Sequence, residues 1–252
     1  MSVREKLSYA RSLLITAPLI FLYTVVMGSI SVASSLIDAR GRIQHGCARL
    51  WARMILWTSG IRIRVNGLEN IRAGVPYVLC MNHQSHMDTP IVLAALPFQF
   101  RFTPKKQLFR YPFLGWHLRR SGHVPIDREN PRAAVKSLRE AADSIRQGSP
   151  VVIFPEGGTS QDGGIKPFKG GGFMLATRSN TEVVPVTIRG SRAVLVPKTY
   201  HVRGGIVEVI IGKPISSEGL SAADLANRVR EEILVAFNHG KTLDRNSYSL
   251  SR

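Results

Sequence analysis

The chain has 252 residues, of which 44% are hydrophobic and 20% are charged, and this composition excludes a disordered, collagen-like or coiled-coil protein. Lysine and arginine number 34 against 17 aspartate and glutamate residues, so the formal net charge is +17. Such a charge attracts anions, which include nucleic acid, acidic lipid, coenzyme pyrophosphate and an acidic carrier protein. Cys47 and Cys80 are the only cysteines, too few for a disulfide framework or a cysteine metal site, and a reducing, cytoplasm-facing environment is expected.

An uncharged segment covers residues 13–37 and is long enough, as one helix, to cross the hydrocarbon core of a membrane. Pro18 and Gly28 interrupt it, and basic residues flank both ends, which favours keeping both ends on the cytoplasmic side. We therefore expect membrane-associated helices over residues 1–60, with a re-entrant or half-buried pair in the apolar segment and a single spanning helix as the alternative. The helix expected over residues 40–59 is amphipathic, which suits the membrane surface.

The following segments alternate between strand-like and helix-like patterns, which predicts an α/β domain with a mostly parallel sheet flanked by helices over residues 61–240. Strands are expected in IRIRVNG, PYVLCM, FRFTPK, HVPID, PVVIFPEG, EVVPVTI and IVEVIIG. Helices are expected to begin at Thr89, near residue 108, at Asn130, in GGFMLATRS and after Ser221. Ser221 and Asp224 form a capping box for the last helix, which is predicted to end near Phe237. Residues 241–252 are predicted to be a polar tail.

The segment NHQSHMDTP follows an apolar strand and contains His83 and Asp88. Across such a turn Asp88 can hold the Nδ1 proton of His83, which leaves Nε2 as a general base. A hydrogen-bonded turn without catalysis is the alternative. His86 is a weaker candidate for the base, because it is only two residues from Asp88. The same three side chains are potential zinc ligands, but their spacing matches no common zinc site.

Two further segments carry polar groups at predicted strand ends. In FPEGGTSQDGG the glycines allow the backbone to approach a ligand, and Glu156 can accept hydrogen bonds from hydroxyls or hold a cation. GHVPIDR ends at Arg128, whose guanidinium suits phosphate recognition. The alternatives are an ordinary glycine-rich loop and a surface ion pair.

In this order, the motifs resemble those of the 1-acylglycerol-3-phosphate acyltransferases, or lysophosphatidate acyltransferases, over about residues 75–188. NHQSHMD matches the N-H-x-x-x-x-D block, KKQLFRYPFLG precedes GHVPIDR, FPEGGTS matches F-P-E-G, FKGGGFMLA follows it, and VVPVTI matches V-P-V. The resemblance implies a glycerolipid acyltransferase fold behind an N-terminal membrane anchor. It also implies an enzyme of phospholipid biosynthesis that transfers an acyl group to 1-acyl-glycerol-3-phosphate, forming phosphatidic acid, with its active site facing the cytoplasm.

Carried over residue by residue, the resemblance implies that His83 deprotonates the acceptor hydroxyl and that Asp88 orients His83, without an acyl-enzyme. The substrate-binding residues that it implies are Lys105, Arg128, Glu156, Gly157 and Lys169. No cofactor or metal is expected, because acyl-CoA or acyl-carrier protein serves as co-substrate. The expected partners are the lysophospholipid, the acyl thioester and the membrane surface, and not nucleic acid.

The chain departs from the family pattern at one place. Many members have F-P-E-G-T-R-S, whereas Gly158 and Thr159 replace the threonine and arginine here. Lys166, Lys169 or Arg128 could compensate for the missing arginine. An acceptor such as a lyso-ornithine lipid is therefore the alternative substrate, and a non-catalytic basic membrane-binding module is the alternative of a different class.

Overall fold

The computed structural model describes residues 3–38, 40–72, 74–127 and 131–249. Its strands are β1 (Ile61–Asn66), β2 (Val78–Met81), β3 (Arg101–Phe102), β4 (Val151–Ile153), β5 (Val183–Arg189) and β6 (Gly205–Ile211). They form one sheet in the order β1-β6-β5-β2-β4-β3. Neighbouring strands are parallel except β5 and β6, so the prediction of an α/β fold with a mostly parallel sheet is confirmed.

Helices cover both faces of this sheet. They are α1 (Val3–Arg11), α2 (Ala17–Ser34), α3 (Arg42–Ser59), α4 (Asp88–Ala95), α5 (Leu114–Arg120), α6 (Pro131–Arg146), α7 (Gly171–Ser179), α8 (Ser191–Val194) and α9 (Ala222–Ser249). Leu79 and Met81 of β2 enter the core shared with α3 and α4. Val78 and Cys80 enter the core shared with α6, α7 and α9. Strand β2 is therefore buried on both faces, which explains its continuous run of apolar residues.

The N-terminal apolar segment is one helix, because a π-helical turn, Ser12–Thr16, joins α1 to α2. Among the residues described, Val3–Ser34 is the single helix long and apolar enough to cross a membrane, judged by length and composition. The helix passes both Pro18 and Gly28, contrary to the expected pair within residues 13–37. The π-helical turn shifts the hydrogen-bond pattern just before the proline, whose missing N–H is thereby accommodated.

A helical pair does form, but its second member is α3. Residues 35–37 form a turn at the end of α2, and α3 packs along α2. The Trp51 indole N–H donates to Thr24 Oγ1 at 3.0 Å, and the hydroxyls of Tyr23 and Thr58 are 3.1 Å apart. Because α3 also contributes to the main core, this pair is fixed to the α/β domain.

Three other details differ from the sequence predictions. HVPID forms only an isolated bridge between Ile126 and Lys105, since Pro125 has no N–H for a ladder. Helix α9 continues through Ser249, so the expected tail is helical as far as that residue; no proline occurs there to stop it. Helix α8 was not predicted. The predicted cap of α9 is confirmed, because the Asp224 N–H donates to Ser221 Oγ at 3.1 Å.

Candidate active site

The candidate site lies at the carboxyl edge of the sheet, where the parallel strands β2, β4 and β5 end. Asn82 follows β2 directly, and its buried side chain pairs with the backbone of Ile188 in β5. The side-chain amide donates to the Ile188 carbonyl at 2.9 Å, and the Ile188 N–H donates to Asn82 Oδ1 at 2.7 Å. This pair fixes the start of the turn that carries His83.

Asp88 and His83 are joined on this turn. The His83 Nδ1 atom is 2.8 Å from Asp88 Oδ2, which also accepts the backbone N–H groups of Gln84 and Ser85 at 2.8 and 2.9 Å. Asp88 is fully buried at the first position of α4, whereas 13% of the His83 side chain is exposed. With Nδ1 donating to the carboxylate, Nε2 is the proton acceptor of the ring. His86, the weaker candidate, is exposed on the same turn.

Phe154, which the sequence analysis did not single out, holds the plane of the imidazole. Its ring stacks on His83 with centroids 4.3 Å apart and an interplanar angle of 26°. Behind it, Phe102 stacks on Phe154 at 6.3 Å. The sequence does contain a signal that could have identified this residue: it is an aromatic residue at the end of a buried strand, directly before the P-E-G motif.

Glu156 joins the histidine turn to the glycine-rich loop. Its Oε1 accepts the His83 N–H at 2.6 Å, and its Oε2 accepts the Lys166 N–H at 3.0 Å. Burial raises the pKa of Glu156, while the N–H groups of Lys166 and His83 act in the opposite direction. The Ser160 N–H adds a third link by donating to the His83 carbonyl at 2.8 Å. This arrangement gives Glu156 a positioning role, and its predicted contact with substrate stays a prediction.

Two ammonium groups lie on the glycine-rich loop. Gly157 has φ +75°, a backbone conformation that favours glycine, and the end of the exposed Lys169 side chain lies over it, with Cε and Nζ 3.0 Å from where a Cβ would be. The Lys166 ammonium donates to the Thr159 carbonyl at 2.9 Å. The loop therefore carries positive charge at the place where the sequence departs from the family pattern.

Arg192 of α8 also holds this loop and was missed by the sequence analysis. Its guanidinium donates to the carbonyls of Ser160 and Gln161 at 2.9 and 2.6 Å. The side chain crosses Gly163, where a Cβ would be 3.2 Å from Arg192 Cδ. No local motif in the sequence of α8 indicates this contact.

The remaining predicted residues, Lys105 and Arg128, lie between the histidine turn and β4 in the sequence. Lys105 follows β3, which is two strands from β2 in the sheet, and forms a bridge with Ile126. Arg128 lies outside the residues that the structure describes, so its phosphate contact stays a prediction. Asp127 forms an ion pair with Lys106 at 3.5 Å. Within the described ranges, no cluster of three or more histidine, cysteine and acidic side chains is arranged to hold a metal.

An apolar cavity of about 80 Å³ opens beside the helix that carries Asp88. Thr89 and Leu93 of α4 line it together with Phe102. Met27 of α2 and Trp51 of α3 line the other side. The cavity thus connects the surroundings of the histidine turn with the N-terminal helical pair.

The family model described as Acyltransferase matches residues 62–189. The 1-acyl-sn-glycerol-3-phosphate acyltransferase LPAT1 (chloroplastic) of Arabidopsis thaliana is 35% identical over 196 residues, which cover 77% of this chain and 54% of the relative. The 1-acyl-sn-glycerol-3-phosphate acyltransferase of Saccharomyces cerevisiae is 30% identical over 81% of this chain and 69% of its own length.

The human 1-acyl-sn-glycerol-3-phosphate acyltransferase alpha is 30% identical over 77% of this chain and 70% of its own length. The matched part of the chain spans between 54% and 63% of the length of the plant and algal relatives. The fold is that of the crystal structure of the 1-acyl-sn-glycerophosphate (LPA) acyltransferase PlsC from Thermotoga maritima. That match has a TM-score of 0.82 and 24% identity, and covers 94% of this chain and 98% of the solved one.

Proposed function

This chain belongs to the acyltransferase family, and we propose that it transfers a fatty acyl group from an acyl thioester to the free hydroxyl of 1-acyl-glycerol-3-phosphate, forming phosphatidic acid. The 2.8 Å contact between His83 Nδ1 and Asp88 Oδ2 carries this proposal. It occurs in a chain whose relatives are named 1-acyl-sn-glycerol-3-phosphate acyltransferases. The dyad also lies at the carboxyl edge of the sheet, where parallel sheets bind ligands.

In the proposed reaction, Nε2 of His83 removes the proton of the acceptor hydroxyl as its oxygen attacks the thioester carbonyl carbon. The new C–O bond leaves a negative charge on the former carbonyl oxygen. This intermediate collapses by breaking the C–S bond, and the proton held on Nε2 passes to the departing thiolate. Asp88 stabilises the imidazolium between these steps and does not take its proton.

The acceptor phosphate is proposed to bind beside the glycine-rich loop. Lys166 and Lys169 bring positive charge to that loop, and this supports a role for them in place of the arginine that Thr159 replaces. Lys105 and Arg128 stay predicted substrate-binding residues. Ammonium groups bind phosphate as point charges, whereas an arginine binds it with two parallel N–H donors. Phosphate binding by these lysines, in place of the missing arginine, is therefore expected to broaden the range of acceptors.

The first methylene groups of an acyl chain are proposed to enter the apolar cavity beside α4, whose volume of about 80 Å³ is too small for a whole chain. Its lining by Leu93 and Phe102 on one side and Met27 on the other suits methylene groups. Its lining includes Thr89, which follows Asp88 in the chain, and residues of the N-terminal helices. An acyl chain that begins there would run from the side of the dyad toward these helices.

We infer that the N-terminal helix lies along the membrane surface and does not cross the bilayer as an isolated span. One side of it is bonded to the domain along its length: Ser12 Oγ donates to the Tyr200 carbonyl at 2.6 Å, and Ser31 Oγ is 2.6 Å from His117 Nδ1. The opposite side exposes large apolar residues, namely Leu7, Leu14, Phe21, Val26 and Ile30. A helix that is bound to protein on one face and apolar on the other suits the lipid interface.

This orientation is tested by making the exposed face polar. Leu14 and Phe21 are each 73% exposed, so Leu14→Asn with Phe21→Asn should leave the fold intact and weaken binding to vesicles. Loss of two inserted side chains corresponds to on the order of 100-fold in the partition coefficient. The matched control is Val235→Asn on α9, which is 60% exposed. Equal binding of both variants in vesicle sedimentation would contradict the interfacial helix.

The proposed reaction is tested by crossing acyl-CoA and acyl-carrier protein donors with two acceptors, lysophosphatidic acid and lyso-ornithine lipid. We expect turnover with lysophosphatidic acid, and we expect His83→Ala to lower it by on the order of 10²- to 10⁴-fold. The control His86→Ala changes an exposed histidine on the same turn and should retain activity. Thiol release and lipid product are both measured.

The outcomes separate the alternatives. Activity with lyso-ornithine lipid alone would replace the acceptor and keep the dyad. Full turnover by His83→Ala would remove His83 from the mechanism. Absence of transfer with every donor and acceptor, together with vesicle binding, would favour the non-catalytic membrane-binding module.

A further inference from the structure

A second pocket lies between α1 and the loop that connects α8 to β6. Its volume is about 450 Å³, and its lining residues are Glu5, Tyr9, Val196, Lys198, Thr199, Tyr200, His201 and Arg203. The loop is on the same edge of the sheet as the dyad, since Ser85 Oγ donates to the Leu195 carbonyl at 2.7 Å. None of the residues that line the pocket belongs to the catalytic turn or to the glycine-rich loop.

The pocket is preformed, because four contacts tie its two walls together. Ser12 Oγ donates to the Tyr200 carbonyl and accepts the Val202 N–H at 2.8 Å. His201 Nε2 is 3.0 Å from Ser8 Oγ. The His201 ring also meets Tyr9 edge to face, with centroids 5.4 Å apart. Little loop ordering is therefore needed when a ligand binds, which favours affinity.

The charge in and around the pocket is predominantly positive. Lys198 and Arg203 line it and are exposed, and no acidic partner is recorded for either among the described side chains. Burial, together with the positive charges of Arg203 and Arg11, lowers the pKa of His201, and Glu5 is the acidic group that acts in the opposite direction. Cations thus outnumber the single carboxylate, so the pocket suits an anion.

Lys198 is held in an unusual backbone conformation. Its φ is +65°, in the left-handed region that residues with a Cβ seldom adopt. The turn is closed by the Thr199 N–H and hydroxyl, which both donate to the Val196 carbonyl, at 3.1 and 2.8 Å. Strained residues of this kind cluster at ligand sites, and here the strained residue carries one of the two exposed cations that line the pocket.

The position of the pocket indicates where its anion comes from. The same helix α1 exposes Val3 and Leu7 at 75% and 66%, and the lining residue Tyr200 is 75% exposed. Apolar residues beside an exposed tyrosine are typical of a surface that meets the boundary between lipid tails and headgroups. We propose that this pocket binds the phosphate headgroup of an anionic membrane phospholipid, separately from the site of acyl transfer.

The proposal is tested with the full chain and vesicles of phosphatidylcholine, with and without phosphatidylglycerol. Lys198→Gln with Arg203→Gln should lower the preference for phosphatidylglycerol by on the order of 10- to 30-fold. Binding to pure phosphatidylcholine should be unchanged, because the apolar face of the helix is intact. Lys198→Arg with Arg203→Lys keeps both charges and should bind as the original chain does.

The matched control is Arg178→Gln with Arg228→Gln, which removes two exposed cations on α7 and α9. If this control loses the preference as strongly as the pocket variant does, or if neither loses it, the pocket is not a headgroup site. Inorganic phosphate is the second probe, at ionic strength held constant with sodium chloride. If the pocket variant loses saturable phosphate binding but binds vesicles as before, the pocket binds free phosphate and the proposed lipid headgroup is wrong. These readouts do not depend on acyl transfer, so the inference can fail or stand independently of the proposed function.

Discussion

The sharpest test of the dyad is Asp88→Asn. In the present structure Asp88 Oδ2 receives three N–H donors, from His83 Nδ1 and from the backbone of Gln84 and Ser85. The asparagine carbonyl oxygen can accept all three, so the turn is expected to keep its shape. The negative charge that stabilises the imidazolium is lost. The amide nitrogen takes the place of Oδ1, which is buried and has no described hydrogen-bond partner, and this costs about 1–3 kcal/mol of folding free energy.

The expected loss of rate follows from the distance in the dyad. At 2.8 Å and an effective dielectric constant of about 20, the attraction between carboxylate and imidazolium is about 6 kcal/mol. Dehydration of the buried carboxylate offsets part of this attraction. We therefore expect kcat/KM to fall by about 10³- to 10⁴-fold, which corresponds to about 4–5.5 kcal/mol in the transition state.

The assay is steady-state acyl transfer, with unfolding measured in denaturant on the same samples. The control is Asp224→Asn, which changes another aspartate in the first turn of a helix, one that is bonded to Ser221. We expect this control to retain its activity. If a folded Asp88→Asn variant retains kcat/KM within about tenfold, below the range expected of a general base, the carboxylate does not support His83 as proposed.

Two further predictions concern stability. Gly28→Ala would place a Cβ 2.9 Å from Phe113 Cβ, and this overpacking should lower the free energy of unfolding by about 1–3 kcal/mol. The control Gly46→Ala meets no atom within 4 Å and should raise the free energy of unfolding by about 0.5–1 kcal/mol. Equal free energies of unfolding in urea for the two variants would contradict this packing. Burial lowers the pKa of His45 and of His117 from 6.5 to about 4, so below pH 6.5 the unfolded chain binds protons that the folded chain does not. Each histidine should therefore remove about 2 kcal/mol of stability between pH 7 and pH 5, and an unfolding free energy that is the same at both values would refute the burial of neutral imidazoles.

The sequence predicted the sheet and most of the helices because their signals are local. Strand β2 is apolar throughout since it is buried on both faces, and the cap at Ser221 depends on a contact three residues away. The π-helical turn before Pro18 could not be predicted from such local signals. A proline predicts a break, and the contacts that α2 makes with α3 and α5 decide that the helix continues.

The same distinction applies to the site. His83 and Asp88 were predicted because they share one turn and are five residues apart. Arg192 and Phe154 were missed, since their roles depend on strands that meet only in the folded sheet. The acceptor-binding role implied for Glu156 rested on its motif, whereas its two oxygens meet backbone groups 73 and 10 residues away, a relation that no local pattern contains.

The two hydrogen bonds that Glu156 accepts limit which segments of this chain can be exchanged with those of a relative. One oxygen of the buried Glu156 carboxyl group holds the turn that carries His83, and the other holds the glycine-rich loop. The two stretches of chain therefore depend on each other structurally. In a chimera that takes only the His83 turn or only the glycine-rich loop from a relative, the Glu156 carboxyl group would face a backbone N–H in a different position. Substitutions are thus more readily accommodated at Gly158 and Thr159 in the loop than at Glu156 itself.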